Sequence, residues 1–553
     1  MIFPNLPLNC QFNESEDSLL TVDGDNWCIY HCPIIDKDGN PTEKGAWNQE
    51  MLDNFEQKIN VQLQNASHSG SSLNLTGVIF PAAVNFQTKA FPPVSFRDTT
   101  FIGNASFERV IFSGDVSFEH ARFSANAHFE NVRFHSRTIF EYTIFGGDAH
   151  FEHALFQMVV EFSRMSTRDA HFDYASFEGD VSFNGVTVSR NLSFGHTTFN
   201  RGFSCQHTKI GNHAGFNHAE FRGNETSFHG ATFIGRAGFE LAKFTNRKTE
   251  FRKATFCAKA EFGDTTFNRD VSFSHVTFSD EARFSHARFT GSTRFTNARF
   301  IKDAHFDSSG ESTNEELVQA NIFHDSDFTD AVFEQGVSFI NRQFLQPAIF
   351  ANCTFGMTPH GKAPQFYGCA LHDGSVFPPR SYFYDVRSEG AANAYRKLKL
   401  AMGQHNARRE EAKFYALEQE SLRHQPTTPV REKLASWLYY HLADYGENFL
   451  LPLVWLVVIT VGFGFFYYFA TVWVLSSSVI LEYRMACFQF AMEQLVRPFS
   501  AWLPTGGNPL KMLLDDNLEF LIMIQVFAIV QGLATLGLVT LFIVGLRRRF
   551  KLW

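Results

Sequence analysis

Phenylalanine recurs along the middle of the chain at alternating intervals of five and six residues. Between residues 101 and 162 this alternation is unbroken, so the repeating unit is eleven residues long. A small or β-branched residue stands two positions before each ring, as in Thr138-Ile139-Phe140. A helix with 3.6 residues per turn would scatter such rings around its surface, and an amphipathic strand would require a period of two. The spacing therefore predicts neither of these ordinary elements.

A coil with four short sides accounts for the spacing. If each side uses five or six residues, a turn takes about 22 residues and stacks equivalent rings about 4.8 Å apart. Each ring and the small residue two before it then point toward the axis, because alternate residues of a strand share a face. We expect the inward ring columns to include Phe107, Phe129, Phe151, Phe118, Phe140 and Phe162.

This repeated unit, a small residue two positions before Phe, resembles the pentapeptide-repeat proteins, in the form that is centred on Phe and alternates five- and six-residue repeats. The resemblance extends over residues 80–377 and implies a mainly β fold, a right-handed quadrilateral β-helix. The left-handed hexapeptide β-helix requires a strict six-residue period with Ile, Leu or Val, which this sequence lacks. The rhythm slips by one residue after Phe162 and in the opposite direction after Phe221.

The other regions have different compositions. Residues 1–79 contain eleven Asp or Glu and only three Lys or Arg, and the pattern of residues 47–63 predicts a short helix that caps the solenoid. Residues 378–446 are predicted to form a helical connector, with a break near Gly403. Residues 447–553 are predicted to form a membrane module.

The connector is similar to one found in pentapeptide-repeat membrane proteins, although a plain helical hairpin spacer is equally compatible with the sequence. The residues that carry the similarity are Tyr395, Arg396, Leu398, Lys399, Ala412, Phe414, Tyr415, Glu418 and Asp444-Tyr445-Gly446.

Two uncharged segments, 449–475 and 520–546, are each long enough to cross about 30 Å of hydrocarbon. Basic residues lie just before the first segment and just after the second, so the positive-inside rule places both flanks in the cytoplasm and residues 476–517 outside. This predicts an integral protein, in a bacterial inner membrane, with both termini cytoplasmic and the lipid bilayer as a partner.

The interval between the spans admits two interpretations. Residues 479–497 have the pattern of an amphipathic helix, with Glu482, Gln489, Glu493 and Arg497 toward its polar side. Span, short helix, loop and span is an arrangement similar to a two-span cation channel, but no Thr-Val-Gly-Tyr-Gly run is present to provide potassium selectivity. The alternative is an interfacial helix that lies on the outer leaflet.

A stripe of small and polar residues marks the second span. It contains Gln525, Ala528, Gln531, Gly532 and Thr535. One interpretation is close helix packing, with amides that bond across helices. The other is a polar lining for a pore in an oligomer.

Candidate chemistry is sparse. His128, His150 and His171 each directly precede a Phe and are expected to stack, but we expect no companion carboxylate at a fixed offset, and hence a solvated column rather than a metal site. Cys28-x-x-His31-Cys32, together with Cys10, supplies only half of a zinc site. We expect no catalytic residue, metal or cofactor.

Charge narrows the range of functions. The formal net charge is −9, but residues 80–306 contain 23 acidic and 25 basic residues, which argues against a nucleic-acid-binding rod. The sequence favours a non-enzymatic scaffold that is anchored in the membrane as a homo-oligomer and binds an unidentified cytoplasmic protein. The alternative hypothesis is an oligomeric pore gated by the solenoid or the connector.

Overall fold

The computed structural model describes residues 19–308, 321–475, 480–496 and 518–550. The chain divides into two compact units. The first is Met1–Pro378 with Tyr382–Tyr384, and the second is Pro379–Ser381 with Asp385–Trp553. The first unit contains the β-solenoid and the second is helical.

A small N-terminal region covers the start of the solenoid. Strands Leu19–Val22 and Asp25–Cys28 pair antiparallel, a 3₁₀ turn follows at Lys44–Ala46, and helix α1 is Gln49–Ser69. The Asn48 side chain caps α1 by accepting a hydrogen bond from the Met51 amide at 3.0 Å. Phe55 of α1 packs edge-on against Phe80 with ring centroids 5.9 Å apart, so the predicted cap helix is present.

The solenoid has four faces of parallel strands, because each coil contributes one short strand to each face. Face 1 comprises Ile79–Phe80, Thr100–Phe101, Arg122–Phe123, Ile144–Phe145, Ser166–Thr167, Thr187–Val188, Lys209–Ile210, Thr232–Phe233, Thr255–Phe256, Thr277–Phe278, Arg299–Phe300, Val332–Phe333 and Thr354–Phe355. Face 2 comprises Val84–Asn85, Ala105–Ser106, Ala127–His128, Asp148–His150, Asp169–His171, Leu192–Ser193, Ala214–Gly215, Ala237–Gly238, Ala260–Glu261, Ala282–Arg283, Ala304–His305 and Val337–Ser338.

Faces 3 and 4 are joined into one sheet, because two long strands turn the corner between them. Face 3 comprises Ala90–Phe91, Ile111–Phe112, Arg133–Phe134, Leu155–Phe156, Ser176–Phe177, Thr198–Phe199, Glu220–Phe221, Lys243–Phe244, Thr266–Phe267 and Gln343–Phe344. Face 4 comprises Leu73–Asn74, Val94–Ser95, Val116–Ser117, Thr138–Ile139, Val160–Glu161, Val181–Ser182, Phe203–Ser204, Glu225–Ser227, Lys248–Glu250, Asp270–Ser272 and Ala348–Ile349. Strands Arg288–Arg294 and Ile322–Asp327 belong to both faces.

The predicted ring columns are confirmed. Phe107 stacks on Phe129 and Phe129 on Phe151, each pair at 4.8 Å with nearly parallel planes. Phe118 and Phe140 form a second column, and its rings meet those of the first edge to face, as Phe118 does with Phe129 at 5.5 Å. Faces 1 and 3 carry further stacks, such as Phe101 on Phe123 at 4.5 Å and Phe112 on Phe134 at 5.0 Å, so buried rings from all around the coil fill the core.

Both slips in the rhythm change the length of one coil without breaking the sheets. The coil that pairs Ala149 with Ala170 is one residue shorter than the coil before it, which pairs Ala127 with Ala149. The coil that pairs Lys209 with Thr232 is one residue longer than that usual repeat. The parallel pairing continues on either side, so the extra or missing residue is absorbed at a corner.

Every second corner requires a left-handed residue, because the chain turns sharply after each ring of the two interleaved columns. Non-glycine residues with φ near +57° occur there at eleven-residue intervals, as at His120, Asn131 and Tyr142. His, Asn and Asp tolerate this conformation better than most residues. Corner histidines with positive φ are His120, His153, His196, His207, His218, His275 and His286. Backbone geometry thus explains a large share of the unusual histidine content.

The Phe repeat is interrupted between Phe306 and Phe323, and Arg342 lies fully buried in the following coil. Its guanidinium donates hydrogen bonds to the carbonyls of Phe306, Ala287 (2.8 Å) and Phe284 (2.9 Å). In an earlier coil the carbonyl equivalent to that of Ala287, on Thr265, accepts a backbone N–H from the next coil. Arg342 supplies a donor where the chain leaves the repeat. Burial lowers the pKa of Arg342 to about 9, so it is charged at neutral pH.

The helical unit contains six helices within the described residues. They are α2 (Ala391–Gln404), α3 (Arg408–His424), α4 (Val430–Ala443), α5 (Leu451–Leu475), α6 (Ile480–Val496) and α7 (Leu518–Phe550). Short 3₁₀ turns occur at Arg380–Tyr382 and Asp444–Gly446. The break predicted near Gly403 falls between α2 and α3, whereas the sequence pattern did not single out α4.

Candidate functional site

Two helices of this unit are long and apolar enough to cross a membrane, over Leu451–Trp473 of α5 and Ile522–Arg547 of α7. Only 22% and 28% of their most apolar stretches are buried within the chain. Core helices of soluble proteins are mostly buried, whereas large side chains such as Val457 and Phe469 of α5 are each 64% exposed. This apolar surface suits lipid or another copy of the chain.

The two spans run antiparallel. Phe449, just before α5, lies against Phe542 near the end of α7, with ring centroids 6.4 Å apart. Toward the other end, Phe466 meets Phe527 at 4.5 Å. The basic residues that precede α5 and those at the end of α7 therefore lie at the same end of the helix pair.

Helix α6 packs along both spans rather than across their ends. Its Phe488 ring lies so close to Gly464 that a Cβ at Gly464 would stand 2.5 Å from the ring. Gly464 is about 16 Å from the end of α5, at 1.5 Å per residue. An interfacial helix on the outer leaflet would contact only the ends of the spans, so this packing differs from the interfacial interpretation and resembles a re-entrant helix.

Gln531 of α7 forms hydrogen bonds to both α5 and α6. Its amide accepts a hydrogen bond from the Tyr467 hydroxyl of α5 at 3.0 Å and donates one to the Ala491 carbonyl of α6 at 2.9 Å. The Gln531 side chain is fully buried. Ala528 lies beside it in an apolar cluster with Tyr467 and Ala491. This is the arrangement that the helix-packing interpretation describes.

The remaining residues of the stripe have distinct environments. Ala528, Gly532 and Thr535 are buried in the single chain, whereas Gln525 is half-buried. Glu493 of α6 is also half-buried. Arg497 lies outside the described residues. The polar stripe of α7 thus faces its own helical partners.

The exposed face of α6 agrees only in part with the predicted polar side, because Gln489 is exposed whereas Glu493 is half-buried. Met485, Gln489, Met492 and Val496 recur at helical spacing and are exposed. Their i, i+4, i+7, i+11 spacing can be read from the sequence. The sequence does not show which face of α6 is exposed, and only the packing of the helix does.

A single arginine organises the connector beside the spans. Arg380 pairs with Asp444 at 2.7 Å, Glu447 at 3.3 Å and Glu420 at 3.4 Å. Burial raises the pKa of Glu447, because one guanidinium is shared among three carboxylates and does not offset the loss of hydration. Asp444, Tyr445 and Gly446 all have positive φ. The sequence resemblance pointed to the Asp-Tyr-Gly residues but not to Arg380.

The histidine column of face 2 is present. The His128 and His150 rings stack at 5.0 Å, and the His150 and His171 rings at 5.2 Å. The expectation that they have no companion carboxylate was wrong, because an acidic residue follows each by two positions. His128 Nδ1 lies 2.9 Å from Glu130 Oε1, and His150 Nδ1 lies 3.2 Å from Glu152 Oε1.

Comparison with known proteins agrees with the repeat. A model of the family described as pentapeptide repeats (9 copies) matches residues 93–122, 118–166 and 273–309. These stretches of the rod carry pentapeptide repeats. No curated protein and no solved structure matches the chain.

The N-terminal cysteines lie next to the first coils of the pentapeptide-repeat solenoid. Cys28 Sγ is 2.9 Å from His31 Nδ1, and His31 Nε2 is 2.9 Å from the Thr76 carbonyl. Cys32 is buried, and burial raises the pKa of its thiol to about 11. Both ring nitrogens of His31 are thus engaged within the fold, and Cys10 lies outside the described residues.

Proposed function

We propose that this protein is a membrane-tethered scaffold, in which the pentapeptide-repeat solenoid displays its faces to a cytoplasmic protein and α5 to α7 hold it in a bacterial inner membrane as a homo-oligomer. The observation that carries the proposal is the packing of the α7 stripe. Gln531 and Thr535, the side chains best suited to line a pore, are both buried within the chain instead, and Gln531 hydrogen-bonds to α5 and α6. The exposed surface of the spans is apolar, as an anchor requires.

The solenoid offers a binding surface along face 4. Three open grooves follow this face, one after another along the rod, and hydroxyl side chains line them, among them Ser95, Ser117, Ser182, Ser204 and Ser272. These hydroxyl groups can donate and accept hydrogen bonds, so they can bind the backbone of an extended protein segment that lies along the face. No enzymatic activity is proposed.

The cytoplasmic placement of both termini rests on charge and on helix direction. Arg431 and Lys433 precede α5, and Arg547 begins a basic run at the end of α7. The antiparallel packing of the spans brings these flanks to one side, which supports the orientation given by the positive-inside rule.

A pore is the second candidate, favoured by the position of α6. A helix that runs beside two spans toward the middle of their length has the placement of a pore helix. In an oligomer its exposed stripe, with Gln489 at its centre, would line the passage.

Planar-bilayer recording separates the two candidates. The tether proposal expects no unitary current from the purified full-length oligomer at any voltage, with native mass spectrometry used to verify that more than one copy is present. Reproducible currents that Gln489→Leu alters would overturn it in favour of the pore. The matched control is Thr540→Val, on the exposed surface of α7.

The orientation has its own test, because the native Cys257 is exposed on the rod. We expect a membrane-impermeant maleimide to leave Cys257 unlabelled in intact spheroplasts and to label it after lysis. The Cys257→Ser variant identifies the signal that belongs to this residue. Labelling of intact spheroplasts that depends on Cys257 would place the solenoid outside the membrane.

A further inference from the structure

Face 2 carries a ladder of alternating imidazoles and carboxylates near its N-terminal end. Parallel pairing aligns Ala127-His128 with Ala149-His150, one coil further along. Each histidine is followed two residues later by a carboxylate, Glu130 or Glu152, and Glu108 precedes them in the same column. Because the coils repeat, the two kinds of side chain form adjacent columns.

Two overlapping triads bring their donor atoms close together. In one, Glu108, His128 and Glu130 each offer an atom within 4.8 Å of the other two. In the other, Glu130, His150 and Glu152 do the same. Glu130 belongs to both triads and lies between them. All five residues are half-buried, so an ion placed there would be partly shielded but accessible.

These carboxylates have no fixed cationic partner. Among the described residues no Lys or Arg lies within ion-pair distance of Glu108, Glu130 or Glu152, and their ion pairs are with histidine alone. Further along the same face the pattern is different, because Arg283 and Lys259 neutralise Glu281 at 2.9 and 3.1 Å. The ladder therefore concentrates negative charge, unlike the carboxylate of Glu281 further along the same face.

Two oxygens of the ladder lack a partner. Glu130 Oε2 and Glu152 Oε2 are each shielded from solvent and make no hydrogen bond. A shielded carboxylate oxygen without a donor is unfavourable, and a bound cation would satisfy it. This observation is independent of the stacking of the histidines.

We propose that this ladder binds divalent transition-metal ions, with Glu108, His128 and Glu130 forming one site and Glu130, His150 and Glu152 the next. One imidazole nitrogen and two carboxylates form a ligand set that suits Zn²⁺, Mn²⁺ or Fe²⁺, whereas Ca²⁺ and Mg²⁺ prefer oxygen alone. Three protein ligands leave a coordination position open to water. When both sites are filled, Glu130 bridges the two ions.

The test uses full-length protein without a histidine tag, stripped with a chelator and titrated with Zn²⁺ by calorimetry. We expect binding that the His128→Ala/His150→Ala double variant weakens by at least about tenfold, as loss of a metal ligand does. The isosteric Glu130→Gln variant removes the shared ligand and should weaken both sites. Addition of Co²⁺ should produce visible absorption in the wild type and not in these variants.

The matched control is His196→Ala/His218→Ala. These imidazoles also stack, with centroids 4.4 Å apart, but they stand at left-handed corners away from either triad. If the ladder variants bind Zn²⁺ as tightly as the wild type, the binding is adventitious only and the proposal is overturned. The same follows if the control variant loses as much Zn²⁺ affinity as the ladder variants do. Circular dichroism of each variant identifies loss of fold, and a folded Glu130→Gln with unchanged affinity would also overturn it.

Discussion

The solenoid and the helical unit are held together in contrasting ways. In the rod every coil repeats the same contacts, so Phe129 is bound on both sides by rings that are themselves stacked. In the helical unit a few polar side chains, above all Gln531 and Arg380, each make contacts that nothing else duplicates. The stabilising contacts are thus spread over many equivalent residues in the rod, whereas in the helical unit they are made by a few residues. Substitutions in the two units test this difference.

The largest effect is expected from a charge among the stacked rings. Phe140→Asp places a carboxylate between Phe118 and Phe162, where it cannot be solvated. We expect the full-length variant to lose the β-sheet circular dichroism of the rod and to be recovered only as aggregate. The control is Tyr142→Asp, two residues on, at an exposed corner with φ +57° that Asp tolerates. A folded Phe140→Asp protein as stable as the wild type would mean that the rings do not face the axis.

The next effect tests a place where the rod depends on a single residue. Arg342→Leu leaves the carbonyls of Ala287 and Phe306 without this donor, whereas the Phe284 carbonyl still accepts the backbone N–H of Ala287. Each buried carbonyl that is left unpaired costs about 1–3 kcal/mol. We expect the free energy of unfolding, measured by urea denaturation, to fall by about 3 kcal/mol or more on this basis.

Arg283→Leu is the comparison for this loss. Arg283 is a half-exposed arginine that pairs with Glu281 on the surface, and such pairs are worth about 0–1 kcal/mol. Equal losses in the two variants would show that the interruption needs no special donor.

The smallest effect is expected in the helical unit. Gln531→Leu removes hydrogen bonds to Tyr467 and Ala491, and an interhelical hydrogen bond of this kind contributes on the order of 1 kcal/mol. Unfolding of the purified protein in increasing sodium dodecyl sulfate, followed by helical circular dichroism, measures the loss. Gln525→Leu makes the same change on a half-buried amide that has no hydrogen bond among the described residues, and it should be nearly neutral. If the two variants are equally destabilised, Gln531 does not fasten the bundle.

The rod could be predicted well from the sequence, because the spacing of a repeated residue gives the length of each coil. Rings spaced by five and six in alternation fit only a coil of four sides, and the two slips in the rhythm reappear as one shortened and one lengthened coil. Arg342 was not anticipated, since nothing local distinguishes a buried arginine from a surface one. Its role depends on carbonyls more than fifty residues earlier in the chain.

The candidate sites were harder to predict. The acidic partners of His128 and His150 are present in the sequence as His-Phe-Glu. The residues on either side of a buried ring both face outward, so the histidine and the glutamate lie on the same surface. For α7 the polar stripe was found from the sequence. Helix packing and pore lining use the same types of residue, so the sequence could not decide between these two roles. Only the position of α6 indicates which surface Gln531 meets.

Arg342 also bears on how such rods change over time. Extra residues can be inserted into a coil if a long side chain of the following coil donates to the carbonyls that lose their backbone N–H partners. An arginine in a column that elsewhere holds mostly alanine, valine or threonine should then identify, in other proteins built this way, the first coil after an insertion. That junction is where an unrelated peptide is best grafted, because the neighbouring coils are already tied together without it.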